Sequence, residues 1–423
     1  HQSEIVPRQK VVGRKTKPMK HTIFAKLGPG LLFAGAAIGV SHLVQSTRAG
    51  ADYGWGLLWA LLLVNLFKYP FFQYGPRYAL ATNENLLQGY FKLGKPLLWL
   101  YFVLNIATMF TVQTAVTIVT AGIASELFGF TTNLGIWSAF ITGICLLILI
   151  IGRYTILDRV IKIIILVLTI CSVVSFSIAL GNDGSPTKLT QIFPAKEGLL
   201  FLAAFMGWMP APMDISIWHS LWTLEKKRSV KDKLNLSEGL FDFKVGYWTT
   251  VFLGICFMGL GATVMFESGL EFSNSGTVFA GQLIALYTSN LGVAFYGIIG
   301  LAALTTMFST TLTTLDASPR VMSQIGKLLW NQKKDRYLFW ILVLSIGTLS
   351  IFFFFLSEMG TLVQIATILS FITAPLFAIL NYFLVTSSHM PKEAQPNTVM
   401  RWLSRIGIVF LTAFALFYLL SLL

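Results

Sequence analysis

The chain has 423 residues, of which 55% are apolar and 12% charged, and its mean hydropathy is +0.72. A soluble domain carries roughly 25% charged residues, so this composition excludes a soluble enzyme, a disordered chain and a nucleic-acid-binding domain. The formal charge of +13 sits in short runs between long apolar stretches, a pattern of membrane topology and not of a phosphate-binding face.

The tail at 1–26 is polar and basic and lacks the pattern of a cleavable signal peptide, so the first apolar stretch is expected to stay in the membrane. A helix needs about 20 apolar residues to cross roughly 30 Å of hydrocarbon. Eleven such stretches follow, at 27–47, 54–80, 97–124, 133–152, 156–180, 198–222, 242–265, 277–309, 337–356, 359–385 and 401–422. With the tail cytoplasmic, 27 of the 31 Lys and Arg fall on the tail and the even-numbered segment ends. Arg48, Lys188 and Lys196 fall opposite, and Lys68 lies within the second span. Lys and Arg concentrate on the cytoplasmic side of membrane proteins. The N-terminus is therefore expected inside and the C-terminus outside, and short loops suit a bacterial inner membrane. Cys145, Cys171 and Cys256 each sit in an apolar stretch without metal-ligand spacing, so neither a disulfide nor a thiolate site is expected.

Two spans carry helix breakers. The first reads Gly28-Pro29-Gly30 and then Ala34-Gly35-Ala36-Ala37-Ile38-Gly39-Val40-Ser41-His42; the sixth contains Met209-Pro210-Ala211-Pro212-Met213-Asp214. Each proline removes a backbone donor and biases the residue before it away from helical geometry, so span six should unwind in its middle. Span one opens the first set of five spans as span six opens the second, and an odd number of crossings inverts the second set. Paired broken helices in an inverted repeat expose carbonyls, amides and half-helix dipoles at the midplane, where a solute binds. The alternative is a pair of packing kinks.

Asp214 is the carboxylate read deep within a span, where it needs a partner, a wet cavity or a proton; it can instead cap the second half-helix. His42 and His219 can titrate or bind a metal, or can pack as hydrogen-bonding residues. Met206, Met209 and Met213 offer soft thioethers or simple filling. In span three, Thr108, Thr111, Gln113, Thr114, Thr117 and Thr120 line a wet path or satisfy their own helix. At the end of span eight, Ser309 to Asp316 precedes Arg320, and Asp316 and Arg320 at i,i+4 form a gate or a surface pair. No nucleotide-binding loop or catalytic triad is visible, so an ion or proton gradient is the expected energy source.

Gly28-Pro29-Gly30, Gln45, Ala49-Gly50-Ala51, Tyr53-Gly54, Leu57-Leu58-Trp59, Asn65, Ala81-Thr82 and His219-Ser220 together resemble the Nramp (natural resistance-associated macrophage protein) metal-ion transporters. The resemblance implies an all-α polytopic membrane protein with a LeuT-type five-plus-five inverted repeat, eleven transmembrane helices, and helices 1 and 6 discontinuous. Its units would be repeats at 27–180 and 198–385, a loop at 181–197, and a linker with the eleventh helix at 386–423. It implies a secondary transporter working by alternating access, a transported divalent metal ion, no cofactor, and the lipid bilayer as partner.

The family's Asp-Pro-Gly-Asn motif aligns with Gly39-Val40-Ser41-His42, which lacks the carboxylate. Its Met-Pro-His motif aligns with Met209-Pro210 or, counted back from His219, with Pro212-Met213-Asp214. The acidic positions of its third helix fall on Ile106, Gln113 and Val116. The site implied is Gly39, Ser41, His42, Met209, Met213 and Asp214, with His42 and Asp214 as metal ligands and His219, Gln113, Asp316 and Arg320 serving proton movement or gating. Because a divalent ion binds poorly to neutral ligands alone, a carrier of a small organic molecule or anion, or a non-transporting sensor, stays open beside metal transport.

Overall fold

A computed structural model describes residues 28–181, 189–229, 234–266, 272–273, 276–293, 296–354 and 359–421. The basic tail and part of the loop expected at 181–197 lie outside the described residues. In chain order the helices are α1 (Pro29–Ala37), a π-helical segment (Val40–Ser46) running into α2 (Thr47–Tyr53), α3 (Leu58–Thr82), α4 (Leu86–Leu93), α5 (Lys95–Phe128), α6 (Leu134–Gly181), α7 (Lys196–Trp208), α8 (Ile215–Ser229), α9 (Leu236–Val264), α10 (Gly276–Leu291), α11 (Tyr296–Leu329), α12 (Tyr337–Phe354), α13 (Met359–Thr386) and α14 (Thr398–Ser421).

Among the described residues, seven helical stretches are long and apolar enough to cross a membrane. They are not equivalent. In Pro29–Tyr53 94% of the most apolar window is buried, against 28% in α14, so the first span is the axis of the bundle and the last is its lining. Side chains such as Leu147, Ile346 and Val409 are exposed on the outer helices, where lipid replaces water as their solvent.

The inner layer is α1, the π segment, α2, α7 and α8. Around it α9 packs on α1 and α2, α3 on α8, α13 on α7, and α11 on α5. Helix α1 starts where Pro29 needs no amide partner, and Asp242 of α9 accepts from the Gly28 amide at 3.0 Å and the Gly30 amide at 2.7 Å. A carboxylate there also meets the positive end of the helix dipole. Helix α14 is tied to α3 by the Tyr74 hydroxyl and Ser404 Oγ, 2.6 Å apart.

Three boundaries differ from expectation. The stretches at 133–152 and 156–180 form one helix, α6, of 48 residues, because the interval at 153–155 contains neither proline nor glycine. The stretch at 277–309 divides into α10 and α11 at Gly292, whose φ of +94° is a conformation glycine adopts without strain; apolar composition hid that turn. Helix α11 then runs on to Leu329, which carries Asp316 and Arg320 into the packed interior. The expected breaks in spans one and six are both present.

Candidate functional site

The first break lies at Ile38-Gly39. Helix α1 closes with the Ile38 amide donating to Ala34 O (2.7 Å), and the chain restarts with the Leu43 amide on Gly39 O (2.9 Å). The carbonyls released between these turns find hydroxyls. Ser41 Oγ donates to Ala37 O at 2.5 Å, and Thr310 Oγ1 of α11 lies 3.2 Å from both Gly35 O and Ile38 O. Gly39 is required by space: a Cβ there would stand 2.3 Å from Thr310 Oγ1.

The second break runs from Met209 to Asp214, between α7 and α8. The Met209 amide closes α7 on Phe205 O at 3.1 Å, and the Ile215 amide reopens the helix on Pro212 O at 3.2 Å. The Met209-Pro210 peptide is cis. The carbonyls released here find a cation. Lys68, fully buried on α3, donates to Met206 O (2.8 Å), Gly207 O (2.8 Å) and Met209 O (3.1 Å), with Ala211 O at 3.4 Å.

Between the breaks lies a small cavity of about 10 Å³, room for a single water. Its walls are Ala36, Ala37, Val40, Ser41, Val112, Val116, Trp208, Pro212, Ile215, Trp218, Thr310 and Thr314. Two larger vestibules flank it. One, of about 210 Å³, is lined by Gln45, Arg48, Phe201, Ala204, Phe272 and Gln364 among others; the other, of about 300 Å³, by Asn83, Gln88, Glu225, Arg228, Arg320, Lys327 and Asp335 among others. The interrupted helix passes through all three, from Phe201 and Ala204 at one vestibule, past Trp208 and Trp218, to Glu225 and Arg228 at the other.

The residues named from sequence divide sharply in this frame. Ser41 faces the central cavity. His42 beside it does not: Nε2 donates to Thr250 O of α9 at 2.8 Å, and Nδ1 is 2.7 Å from Ser41 Oγ. Both ring nitrogens are turned to protein atoms, and neither faces the central cavity. The Met209 sulfur is turned to the same side, packing with His42 Cδ2 over Gly254 of α9. Met213 is buried. Asp214 points the other way, toward α5, where Thr108 Oγ1 is 3.5 Å from Oδ2 and Oδ1 has no hydrogen-bond partner. The structure thus does not bring His42 and Asp214 together as joint ligands, and no group of three His, Cys, Asp or Glu able to hold a metal exists among the described residues.

His219 is buried with both ring nitrogens unpartnered, its ring 5.7 Å from that of Phe33 and 5.8 Å from that of Phe243. Gln113 joins α5 to α11, accepting from Thr314 Oγ1 at 2.6 Å and donating to Thr311 O at 3.3 Å. Asp316 and Arg320 do pair, at 2.7 Å, but Asp316 is fully buried, which corrects the surface alternative. Trp222 Nε1 (3.2 Å) and the Tyr337 hydroxyl (2.8 Å) complete its shell, a cluster of four side chains of which Arg320 and Tyr337 line the larger vestibule. Sequence reasoning placed Lys68 in span two without giving it a role, and it passed over Asp242. A lone lysine in a membrane span was the available signal.

Comparisons with known proteins agree with this architecture. The chain is 36% identical over 406 residues to an uncharacterized protein of Pasteurella multocida, spanning 94% of this chain and 92% of that one. The manganese transporter of Eremococcus coleocola superposes with a TM-score of 0.71 at 13% identity, covering 95% of this chain and 88% of that one. MhsT, solved in complex with L-phenylalanine, superposes with a TM-score of 0.59 at 16% identity, covering 95% and 100%. The fold is therefore the all-α, LeuT-type inverted repeat with its first and sixth helices interrupted. The profile of the family described as natural resistance-associated macrophage protein-like matches residues 30–421, and the chain belongs to that family of integral membrane transporters, which are not enzymes.

Proposed function

We propose that this protein moves a metal ion across the membrane by alternating access, through a site altered from the family motif and centred on Asp214. The observation that carries the reading is the Asp214 carboxylate, buried beside the second break with Oδ1 unpartnered. A carboxylate in such a place requires a cation or a proton. Oxygen suits a hard divalent ion, and Thr108 and a retained water shell supply further oxygens. The two vestibules on either side of the small central cavity are the access routes, and the Asp316–Arg320 cluster is the gate to the larger one. Basic residues around that vestibule support a cytoplasmic side there, with the N-terminus inside and the C-terminus outside, in a bacterial inner membrane. The units are the repeats at 27–180 and 198–385 followed by the eleventh helix, and His219 is the candidate for proton movement.

A second reading, a small organic solute, rests on the central cavity, whose walls are apolar with three hydroxyls and no carboxylate. A panel of Mn²⁺, Mg²⁺, Co²⁺ and Zn²⁺ against the melting temperature of the purified protein separates the two. Metal transport predicts saturable stabilisation by at least one ion, about 2.7 kcal/mol at a hundred times Kd, lost in Asp214→Asn and kept in His42→Gln. Indifference to every ion, with stabilisation by an organic compound, overturns the metal reading and supports the second.

A further inference from the structure

We propose that Lys68 is a tethered cation: its ammonium is the resident occupant of a four-carbonyl cradle in the break of span six that a free monovalent cation would otherwise fill. Three contacts at 2.8, 2.8 and 3.1 Å run from one nitrogen to carbonyl oxygens, which only accept. Three N–H donors are what an ammonium has. The fourth oxygen, of Ala211, closes the shell at 3.4 Å. These distances exceed the 2.0–2.1 Å of magnesium and the 2.3–2.6 Å of calcium coordination, so the cradle has the size of an ammonium-like ion and not of a divalent metal. No carboxylate pairs with Lys68 among the described residues; its charge is met by carbonyl dipoles at the negative end of α7.

The cradle cannot turn away to seek other partners. Gly207 is pressed against α13, where a Cβ would stand 2.2 Å from Thr367 O. The place is sealed from solvent, since Lys68, Met206 and Met209 are all fully buried. Three carbonyls without donors there are a large penalty, and a side chain anchored on α3 removes it permanently. The break of span six therefore holds its cation on a covalent tether. This conclusion does not use Asp214 and stands whichever solute is carried.

Vacating the cradle tests it. Full-length Lys68→Ala, purified in detergent, is expected to melt several degrees below wild type and to be stabilised in a saturable way by ammonium or methylammonium chloride. Choline chloride at the same ionic strength is too bulky to act, and wild type should respond equally to all three salts. A folded Lys68→Ala that gains nothing from ammonium over choline overturns the proposal. If that variant does not accumulate, Lys68→Met decides, because it keeps the aliphatic stem and removes only the charge. A melting temperature several degrees below wild type is required, and one equal to wild type overturns the proposal. Rescue should persist in Lys68→Ala/Asp214→Asn, so a failure of metal binding at Asp214 is read separately.

Discussion

In the first break the carbonyls of Gly35, Ala37 and Ile38 meet the hydroxyls of Thr310 and Ser41, whereas in the second those of Met206, Gly207 and Met209 meet the ammonium of Lys68. Both breaks leave backbone groups that the bilayer cannot hydrate. A neutral hydroxyl bond contributes about 0.5–1.5 kcal/mol and one to a charged group about 1.5–3 kcal/mol. The hydroxyl-capped break can separate at modest cost; the ammonium-capped break cannot open without stranding a charge. Motion between the two halves of the protein is therefore expected to concentrate at Ile38-Gly39, with the second break as the fixed point.

The largest effect should come from cancelling that difference. Lys68→Met makes the second break neutral, and its cost is expected at about 3 kcal/mol or more, from three buried carbonyls each left without a donor at about 1–3 kcal/mol. Hydrogen exchange at residues 206–211 should then rise to the level found at 36–40. If exchange in wild type is already faster at 206–211 than at 36–40, the assignment of fixed and moving breaks is reversed.

A smaller effect is expected from crowding the first break. In Gly39→Ala the new methyl meets Thr310 Oγ1 at 2.3 Å and Cγ2 at 2.9 Å, and overpacking of this kind costs about 1–3 kcal/mol. Thr310→Ala removes both opposing atoms, and the double variant Gly39→Ala/Thr310→Ala should melt above Gly39→Ala alone. Additive losses in that cycle would show that the two residues do not share the space.

The breaks themselves were legible in the sequence because Pro210, Pro212 and Gly39 act locally, on the residues that carry them. What fills the breaks was not. Lys68 reaches carbonyls about 140 residues away, and the amides of Gly28 and Gly30 reach Asp242 across more than 200. No spacing rule connects such positions; only the packing of α3 on α7 and of α9 on α1 does. The sequence reads His42 and Asp214 just after the breaks, yet which way each side chain turns depends on Thr250 of α9 and Thr108 of α5. Asp316 and Arg320 looked terminal because apolar composition fades after Ser309, while the helix continues to Leu329 and buries them.

The smallest effect isolates the hydroxyl cap. Thr310→Val preserves shape and removes the donor facing Gly35 O and Ile38 O, each 3.2 Å away. One hydroxyl proton serves one of these at a time, so the loss is a single neutral hydrogen bond, about 1 kcal/mol, and Thr310→Ser should be close to wild type. Because Ser41 still holds Ala37 O, the break keeps one cap and the protein stays folded. The readout is therefore local: faster hydrogen exchange at residues 36–40 with no change at 206–211. A global fall in melting temperature as large as that of Lys68→Met would mean that both breaks bear equal load, and the contrast between hydroxyl and ammonium would then carry no mechanical meaning.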